Sequence, residues 1–297
     1  MHASRLQSAM EYLITYGWAI LLIMTVLAVL YELGIFSPFT FASKAPPGSC
    51  QVYRPYGPNT TDYINTEGPC NGQIPEFVAR FNGVSSYASV SQNGVATPAL
   101  SPNSVTVSEW IYALPFASGQ VTEYMAAKVG SWQAAILSSS QDSYTYNAVF
   151  YYAGGPQAPV TSRTLYTGTW YNIAFEYNAT SGVERIFVNG TVSAATTLTP
   201  NTPIEAGNGI ADFGGSESGF SFDGYVSNIQ VYNTSLDTNS VKALYIAGIG
   251  SDPINLQHIA GWWPMDGNTN DYSGQGLNAT GTAIAYTGTW YNTYAAP

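Results

Sequence analysis

The chain has 297 residues with 8 basic against 18 acidic, a formal net charge of −10, and no cluster of Lys and Arg of the kind a nucleic-acid partner requires. Only 9% of residues are charged, against about 25% in an ordinary soluble domain. The 45% hydrophobic content excludes global disorder, and the remaining polarity rests on Ser, Thr, Asn, Gln and 23 Tyr, which suits an extracellular surface. It also suits acidic surroundings, because few carboxylates must be protonated as pH falls.

Residues 1–6 form a short leader with Arg5 as its cation. Residues 7–36 follow as a hydrophobic α-helix, uncharged from Tyr12 to Tyr31. Such a run, about twenty residues of helix, rises about 30 Å, the thickness of a bilayer's hydrocarbon core. Leu21, Leu22, Ile23, Met24, Val26 and Leu27 leave no polar face, so the segment belongs in lipid or among like helices. Arg5, on the N-terminal side, predicts a cytoplasmic N-terminus and an external body.

Gln7, Ala9, Glu11, Tyr12 and Leu13, preceded by Arg5, resemble the class III signal peptide of archaeal type IV pilin-like proteins. The chain departs from that family at Leu6, where Gly is usual. The resemblance implies processing between Leu6 and Gln7 and release of the helix from the membrane into a filament core. It also implies an assembly role for Glu11. Four residues beyond the new terminal amine and on the same helix face, its carboxylate would pair with the amine of a neighbouring subunit. The alternative is a plain single-pass anchor with Glu11 solvated among headgroups, and the residues leave both readings open.

Residues 37–74 read as an extended stalk punctuated by Pro38, Pro46, Pro47, Pro55 and Pro58. Cys50 and Cys70 are the 2 cysteines. Bridged, they would close a loop of about 20 residues and contribute roughly 3 kcal/mol. Two unrelated free thiols are the alternative, and the external position favours the disulfide.

Residues 75–297 read as mainly β. Short alternating runs at 78–81, 105–112, 134–138, 148–152, 170–177, 185–188 and 225–232 are separated by Gly, Asn, Pro and Ser. Asn189-Gly190 predicts a type I′ hairpin, Asp223-Gly224 a further chain reversal, and 237–246 a short helix. Trp110 and Trp170 are expected to fill the space between two sheets. Phe81-Asn82-Gly83, the strand Val105–Trp110, Gly168–Phe175, Ile186–Gly190 and Phe222–Asn233 together resemble the laminin-G-like, concanavalin-type jelly roll. The resemblance implies an antiparallel β-sandwich that binds glycans or Ca²⁺.

The tail, 251–297, contains Gly261–Gly274, a stretch resembling the opening of such a domain, although it follows the apparent end. Tyr166–Asn172 also recurs identically at Tyr286–Asn292. Permuted closure within one subunit, a strand donated to the next subunit and a decayed repeat are all compatible with this, and the first is favoured.

Asp266, Asn268, Asn270 and Asp271 offer four hard oxygen donors within six residues, a candidate Ca²⁺ set, although Asx-rich turns are common without metal. Tyr144, Tyr146, Tyr151 and Tyr152 are candidates for stacking on sugar rings, with buried structural Tyr as the alternative. Sequons begin at Asn59, Asn178, Asn189, Asn233 and Asn278. Catalysis is not expected. No strand carries paired carboxylates at glycosidase spacing, Glu176, Glu205 and Glu217 stand apart, and only His2 and His258 supply imidazole. The expectation is a structural or adhesive cell-surface protein: a pilin-like filament subunit displaying a binding domain for glycans or another surface. The alternative is a membrane-anchored carbohydrate- or protein-binding module that does not polymerise.

Overall fold

The computed structural model describes residues 3–32, 52–53, 65–66, 74–90, 100, 103–116, 122–152, 159–207, 210–215 and 221–297. Cys50, Cys70 and Asn59 lie outside these residues. The chain divides into two compact units, Met1–Ser43 and Lys44–Pro297.

The first unit carries α1, Ala3–Glu32. It starts ahead of Gln7 and passes unbroken through Leu6, Gln7 and Glu11 to Glu32; residues 33–36 lie outside the described residues. Side chains are described from Tyr16 to Tyr31. All but half-buried Leu30 are exposed, with apolar groups on every side. Over the described residues no helix is long and apolar enough to cross a membrane.

The second unit begins with a two-stranded ladder, β1 (Val52–Tyr53) against β2 (Asn65–Thr66). The sandwich proper then opens with β3 (Val78–Asn82), β4 (Tyr87–Val90), β5 (Val105–Ala113) and β6 (Thr122–Lys128). Next come β7 (Trp132–Ser140), β8 (Ser143–Phe150), β9 (Val160–Thr161) and β10 (Leu165–Tyr166). β11 (Trp170–Asn178), β12 (Val183–Val188), β13 (Thr191–Thr197), β14 (Ala211–Phe213) and β15 (Asp223–Tyr232) follow. After α2 (Thr238–Ala247), the tail contributes β16 (Ile259–Trp263), β17 (Ala279–Thr282) and β18 (Ala285–Thr287).

These strands form two antiparallel sheets. The front sheet runs β10-β8-β7-β6-β14-β4-β17, with β9 also on β8. The back sheet runs β13-β12-β11-β5-β15-β3-β18, with β16 also on β15. Because successive strand residues point to opposite faces, one set from each sheet meets in the middle. Val105, Val107, Ile111 and Ala113 of β5 and Ile173, Phe175 and Tyr177 of β11 face Trp132, Ala134 and Ile136 of β7 and Tyr146, Ala148 and Phe150 of β8.

β15 is the axis of the back sheet. Its first half pairs with β3 and its second half with β16, on the same flank. The change of partner coincides with a bulge between Ser227 and Gln230, where Asn228 takes φ 51°. Asn228 Oδ1 accepts the Trp262 indole N–H at 2.8 Å, tying β16 to the bulge. The tail thus supplies strands to both sheets of its own chain: β17 extends the front edge beside β4, and β18 the back edge beside β3.

Asn189 and Gly190 turn the β12–β13 hairpin with φ 52° and 69°, the positive pair a type I′ turn requires. Asp223-Gly224, by contrast, opens β15 rather than reversing the chain. Glycine is needed there for a close approach, because a Cβ would run into the Tyr112 carbonyl oxygen. Trp110 and Trp170 also depart from expectation. They sit on the outward face of the back sheet, not between the sheets, in a cluster with Val78, Ile249 and Trp290. Parity requires this, since Trp110 lies between inward Glu109 and Ile111.

The two copies of the repeated heptapeptide meet in that cluster. Trp170 and Trp290 stand edge to face at 5.8 Å, and Trp290 contacts Tyr294 at 5.6 Å. Identical sequence takes different structure because its neighbours differ. Trp170–Asn172 runs along β5, whereas the second copy leaves β18 after Thr287 and coils into a short 3₁₀ turn at Trp290–Thr293. Trp290→Ala should cost about 3–5 kcal/mol in chemical unfolding of the sandwich. Tyr291→Ala, an exposed neighbour, should shift stability by less than about 0.5 kcal/mol.

Candidate functional site

The two outward faces differ. α2 and the tail lie over the back sheet, where Phe187, Tyr232, Leu236, Val241, Leu244, Ile259 and Trp262 form a second apolar layer. The cap of α2 is local: Asp237 Oδ1 accepts the Ser240 N–H at 2.7 Å, a bond that lowers the Asp237 pKa. The front sheet instead leaves most of its outward residues half-exposed, in strict alternation with buried ones along β8, although outward Ala135 and Asp212 are buried.

Register assembles those residues into rows. Thr161, Asn147, Ala135 and Tyr124 lie side by side across β9, β8, β7 and β6. A second row, Val149, Gln133, Ala127, Asp212, Ser89 and Thr280, crosses β8, β7, β6, β14, β4 and β17. Tyr151, just beyond β8, donates from its hydroxyl to Gln133 Oε1 at 3.1 Å. Burial, reinforced by the nearby Tyr124 phenol, raises the Tyr151 pKa. The Asn147 side-chain oxygen is buried without a hydrogen-bond partner. The face therefore combines two tyrosine rings, two amides and one carboxylate over short Ala and Ser side chains.

Of the four tyrosines singled out as sugar-stacking candidates, Tyr144, Tyr146 and Tyr152 are buried and belong to the inter-sheet core. Only Tyr151 reaches the front face. Tyr124, Gln133, Asn147 and Asp212 were not anticipated. Their signal is positional, a polar residue between two inward ones, and it becomes readable only once the inward set is known.

In the Asx-rich turn, side-chain oxygens of the candidate set accept hydrogen bonds from the sandwich and from the turn itself. Asp271 Oδ1 accepts the Trp262 and Ser273 N–H groups at 3.0 and 2.8 Å, and Oδ2 accepts Leu277 N–H at 2.8 Å and the Ser273 hydroxyl at 2.9 Å. Asp266 Oδ1 accepts Phe77 N–H at 2.7 Å, and Asn268 Oδ1 accepts Asn270 N–H at 2.9 Å. These oxygens close the turn onto the sandwich. Among the described residues, no three of His, Cys, Asp and Glu group as a metal set. Of the sequons, Asn233 and Asn278 are exposed, whereas Asn178, at the end of β11, and Asn189, in the hairpin turn, are half-buried. Asn189 Oδ1 accepts Asn172 N–H at 3.0 Å.

Carboxyl groups unanticipated as a class lie inside the sandwich. Glu109 of β5 accepts the Tyr146 hydroxyl of β8 at 2.6 Å across the inter-sheet space, and Glu184 of β12 accepts the Tyr152 hydroxyl. The other oxygen of each has no partner. Burial pushes Glu109 up to about 7 and Glu184 up to about 8, and burial likewise pushes Glu123 up to about 7. Glu176 differs, held by Arg185 and by the Ser235 hydroxyl at 2.9 Å.

Residues 82–242 match the sequence profile described as the concanavalin A-like lectin/glucanases superfamily, of laminin-G type. No curated protein matches the chain at significant similarity. Among solved structures, a protein from Bacteroides ovatus described as a candidate carbohydrate-binding protein superposes with a TM-score of 0.52 at 18% identity, covering 77% of this chain and 64% of its own. The native heptameric SAP-like pentraxin of Limulus polyphemus superposes with a TM-score of 0.50 at 15% identity, covering 72% of this chain and 95% of its own. At these identities the likeness is one of fold.

The buried acids fix the direction of the pH response. Their folded pKa values lie above the free value of 4.5, so the folded state binds more protons than the unfolded chain. Their contribution is full below about pH 4.5 and is lost as pH rises to about 8. Unfolding midpoints in urea should fall steadily from pH 5 to pH 8. Glu184→Gln and Glu109→Gln should each flatten the slope, whereas a profile rising through this window would contradict the assignment.

Proposed function

The chain belongs to the concanavalin A-like lectin/glucanase superfamily, and on that footing we propose that the front face of its sandwich binds carbohydrate. The observation that carries this reading is the juxtaposition of Tyr124, Gln133, Asn147 and Tyr151 on one half-exposed sheet face. Tyrosine rings stack on the apolar faces of sugar rings, and amides pair with their hydroxyls from both donor and acceptor sides. The description of the Bacteroides ovatus neighbour as a candidate carbohydrate-binding protein agrees with it.

Binding rather than hydrolysis is the role these residues support. A glycosidase needs two carboxyl groups flanking one bond, about 5–9.5 Å apart. On the described front-sheet strands, Asp212 is the one carboxylate on the outward face, because Glu123 shares the inward parity of Ile136. Glu109 and Glu184 are enclosed in the core.

The display of this domain is assigned to α1 and the segment after it. We propose a cell-surface protein with the sandwich outside and the apolar helix either anchored in lipid or, after processing between Leu6 and Gln7, packed among copies of itself as in pilin-like filaments. The all-round apolar exposure of Tyr16–Tyr31 supports burial in one of these settings, and the Leu6–Gln7 bond separates them. Mass spectrometry of the native protein finding Gln7 as the first residue supports the filament, and an intact leader supports the anchor.

For the sandwich, Tyr124→Ala and Tyr151→Ala should each weaken retention on a polysaccharide column at least tenfold, with the thermal unfolding midpoint within a few degrees of the parent. Tyr112→Ala, on the back sheet, should leave retention unchanged. Equal loss in all three variants would count against the front face.

A further inference from the structure

Three polar residues at alternate positions of β15, Asn228, Gln230 and Tyr232, hold one short stretch of the tail from both sides. The Ser251 carbonyl oxygen accepts Asn228 Nδ2–H at 2.9 Å and Gln230 Nε2–H at 3.1 Å. The Tyr232 hydroxyl, itself donating to Gln230 Oε1 at 2.6 Å, accepts the Ile254 N–H at 3.2 Å. Between these anchors lies Asp252–Pro253, the one Asp–Pro pair in the 297 residues. Asp252 is half-buried and Pro253 buried, and the enclosed Asp252 Oδ1 has no hydrogen-bond partner. We propose that the Asp252–Pro253 peptide bond is a self-cleavage site, cut by the Asp252 side chain in mildly acidic surroundings, with the tail retained as a second chain.

The reaction needs these two residues and water. An aspartyl carboxyl oxygen reaches the carbonyl carbon of its own residue by closing a five-membered ring, so nucleophile and electrophile are already held together. The protonated carboxyl gives its proton to the proline nitrogen, and one of its oxygens bonds to the Asp252 carbonyl carbon. The C–N bond then breaks, its electron pair leaving with the nitrogen as a secondary amine. Asp252 is left as a cyclic anhydride, which one water opens to two carboxyl groups. Proline suits the leaving role because its amide nitrogen, fully alkylated, takes up a proton more readily than that of an ordinary peptide. The other aspartates precede Ser, Phe, Gly, Thr or Tyr.

The surroundings of Asp252 favour the acid form. Asp271 spends both oxygens on N–H and hydroxyl donors, and Asp237 caps α2, whereas Asp252 Oδ1 is left unengaged. Burial raises the Asp252 pKa to about 6, with no charged neighbour contributing. Of the three β15 side chains facing the segment only Tyr232 titrates, and burial pushes its phenol upward, so it stays neutral too.

The cut falls between α2 and β16 and breaks no strand pairing. β16 stays on β15, β17 on β4 and β18 on β3, and Trp263 and Trp290 stay buried. The 45 residues 253–297 are therefore held by the sandwich that they complete.

The test is incubation of the full-length chain in detergent at pH 5, folded or unfolded in urea, with masses read over several days. The folded chain should yield one piece ending at Asp252 and one beginning at Pro253, at a rate independent of protein concentration. It should react roughly tenfold faster than the unfolded chain, whose aspartate is mostly ionised at that pH, and should stay intact at pH 8. Asp252→Asn should abolish the cut and Pro253→Ala should slow it at least tenfold. Should either variant fail to fold, the parent's ratio of folded to unfolded rates decides alone. An intact folded chain at pH 5, equal rates folded and unfolded, or a cut that survives Asp252→Asn overturns the proposal. On gel filtration the two pieces should elute together and part only in denaturant. A tail fragment lost under native conditions overturns its retention.

Discussion

Two-residue alternation along strands, held in place by cross-strand register, governs the rest of the sandwich. A slip of one residue in β8 would carry Tyr144, Tyr146, Ala148 and Phe150 into water and bring Asn147 into the core. The pairing of β8 with β7 over nearly its whole length prevents that slip, and the same constraint on β5 directs Glu109 inward and Trp110 outward. The identity of the proposed binding face is a consequence of this parity. Tyr124, Gln133 and Asn147 share the face because their strands are in register, not because they are close in sequence.

Parity also places acids where acids are costly. Glu109 and Glu184 occupy inward positions that hydrocarbon would fill more simply, and each reaches a tyrosine, Tyr146 or Tyr152, carried outside the back sheet. Kept protonated, each is a neutral partner that joins the sheets through a hydrogen bond. Together with the small share of charged residues, this describes a domain in which neutral pairs of acid and phenol stand beside ionised pairs such as Arg185–Glu176 and Arg80–Asp223. The acid-tolerant surface inferred from composition has an interior counterpart that composition could not indicate, because it depends on which residues face inward.

Long, regular elements were legible from residues alone. β5, β11, β12 and β15 carry strong alternation, and the Asn189-Gly190 turn carries its own backbone requirement. Alternation did not reveal which side of a strand is the inside, since a β-sheet covered on both faces is apolar on both. The back sheet is of this kind beneath α2 and the tail, so Trp110 and Trp170 read equally well as core between sheets or as a layer outside them. Asp223-Gly224 resembled a turn because its composition is that of a turn, while its glycine answers to the Tyr112 carbonyl on a neighbouring strand. The tyrosines at 144–152 followed the same logic: their spacing identified a strand, and only the opposite sheet decided which of them would be exposed. The short strands β14, β17 and β18 fell below what any local pattern can signal, because each is defined by its partner.

The flank of β15 is completed by strands from far apart in the sequence, β3 at residue 78 and β16 at residue 259, with β17 and β18 closing the edges later still. A chain synthesised from its N-terminus therefore cannot seal this core until its last forty or so residues have emerged. Contacts of such long separation make for slow closure, and until then the inner face of β15 and the edge of β4 stay open to other chains. For a protein whose apolar helix is made first, the order of events is fixed: the helix commits to its surroundings while the sandwich behind it is still unsealed. The late sealing of the sandwich is then a property of the strand order itself, whatever setting receives the helix.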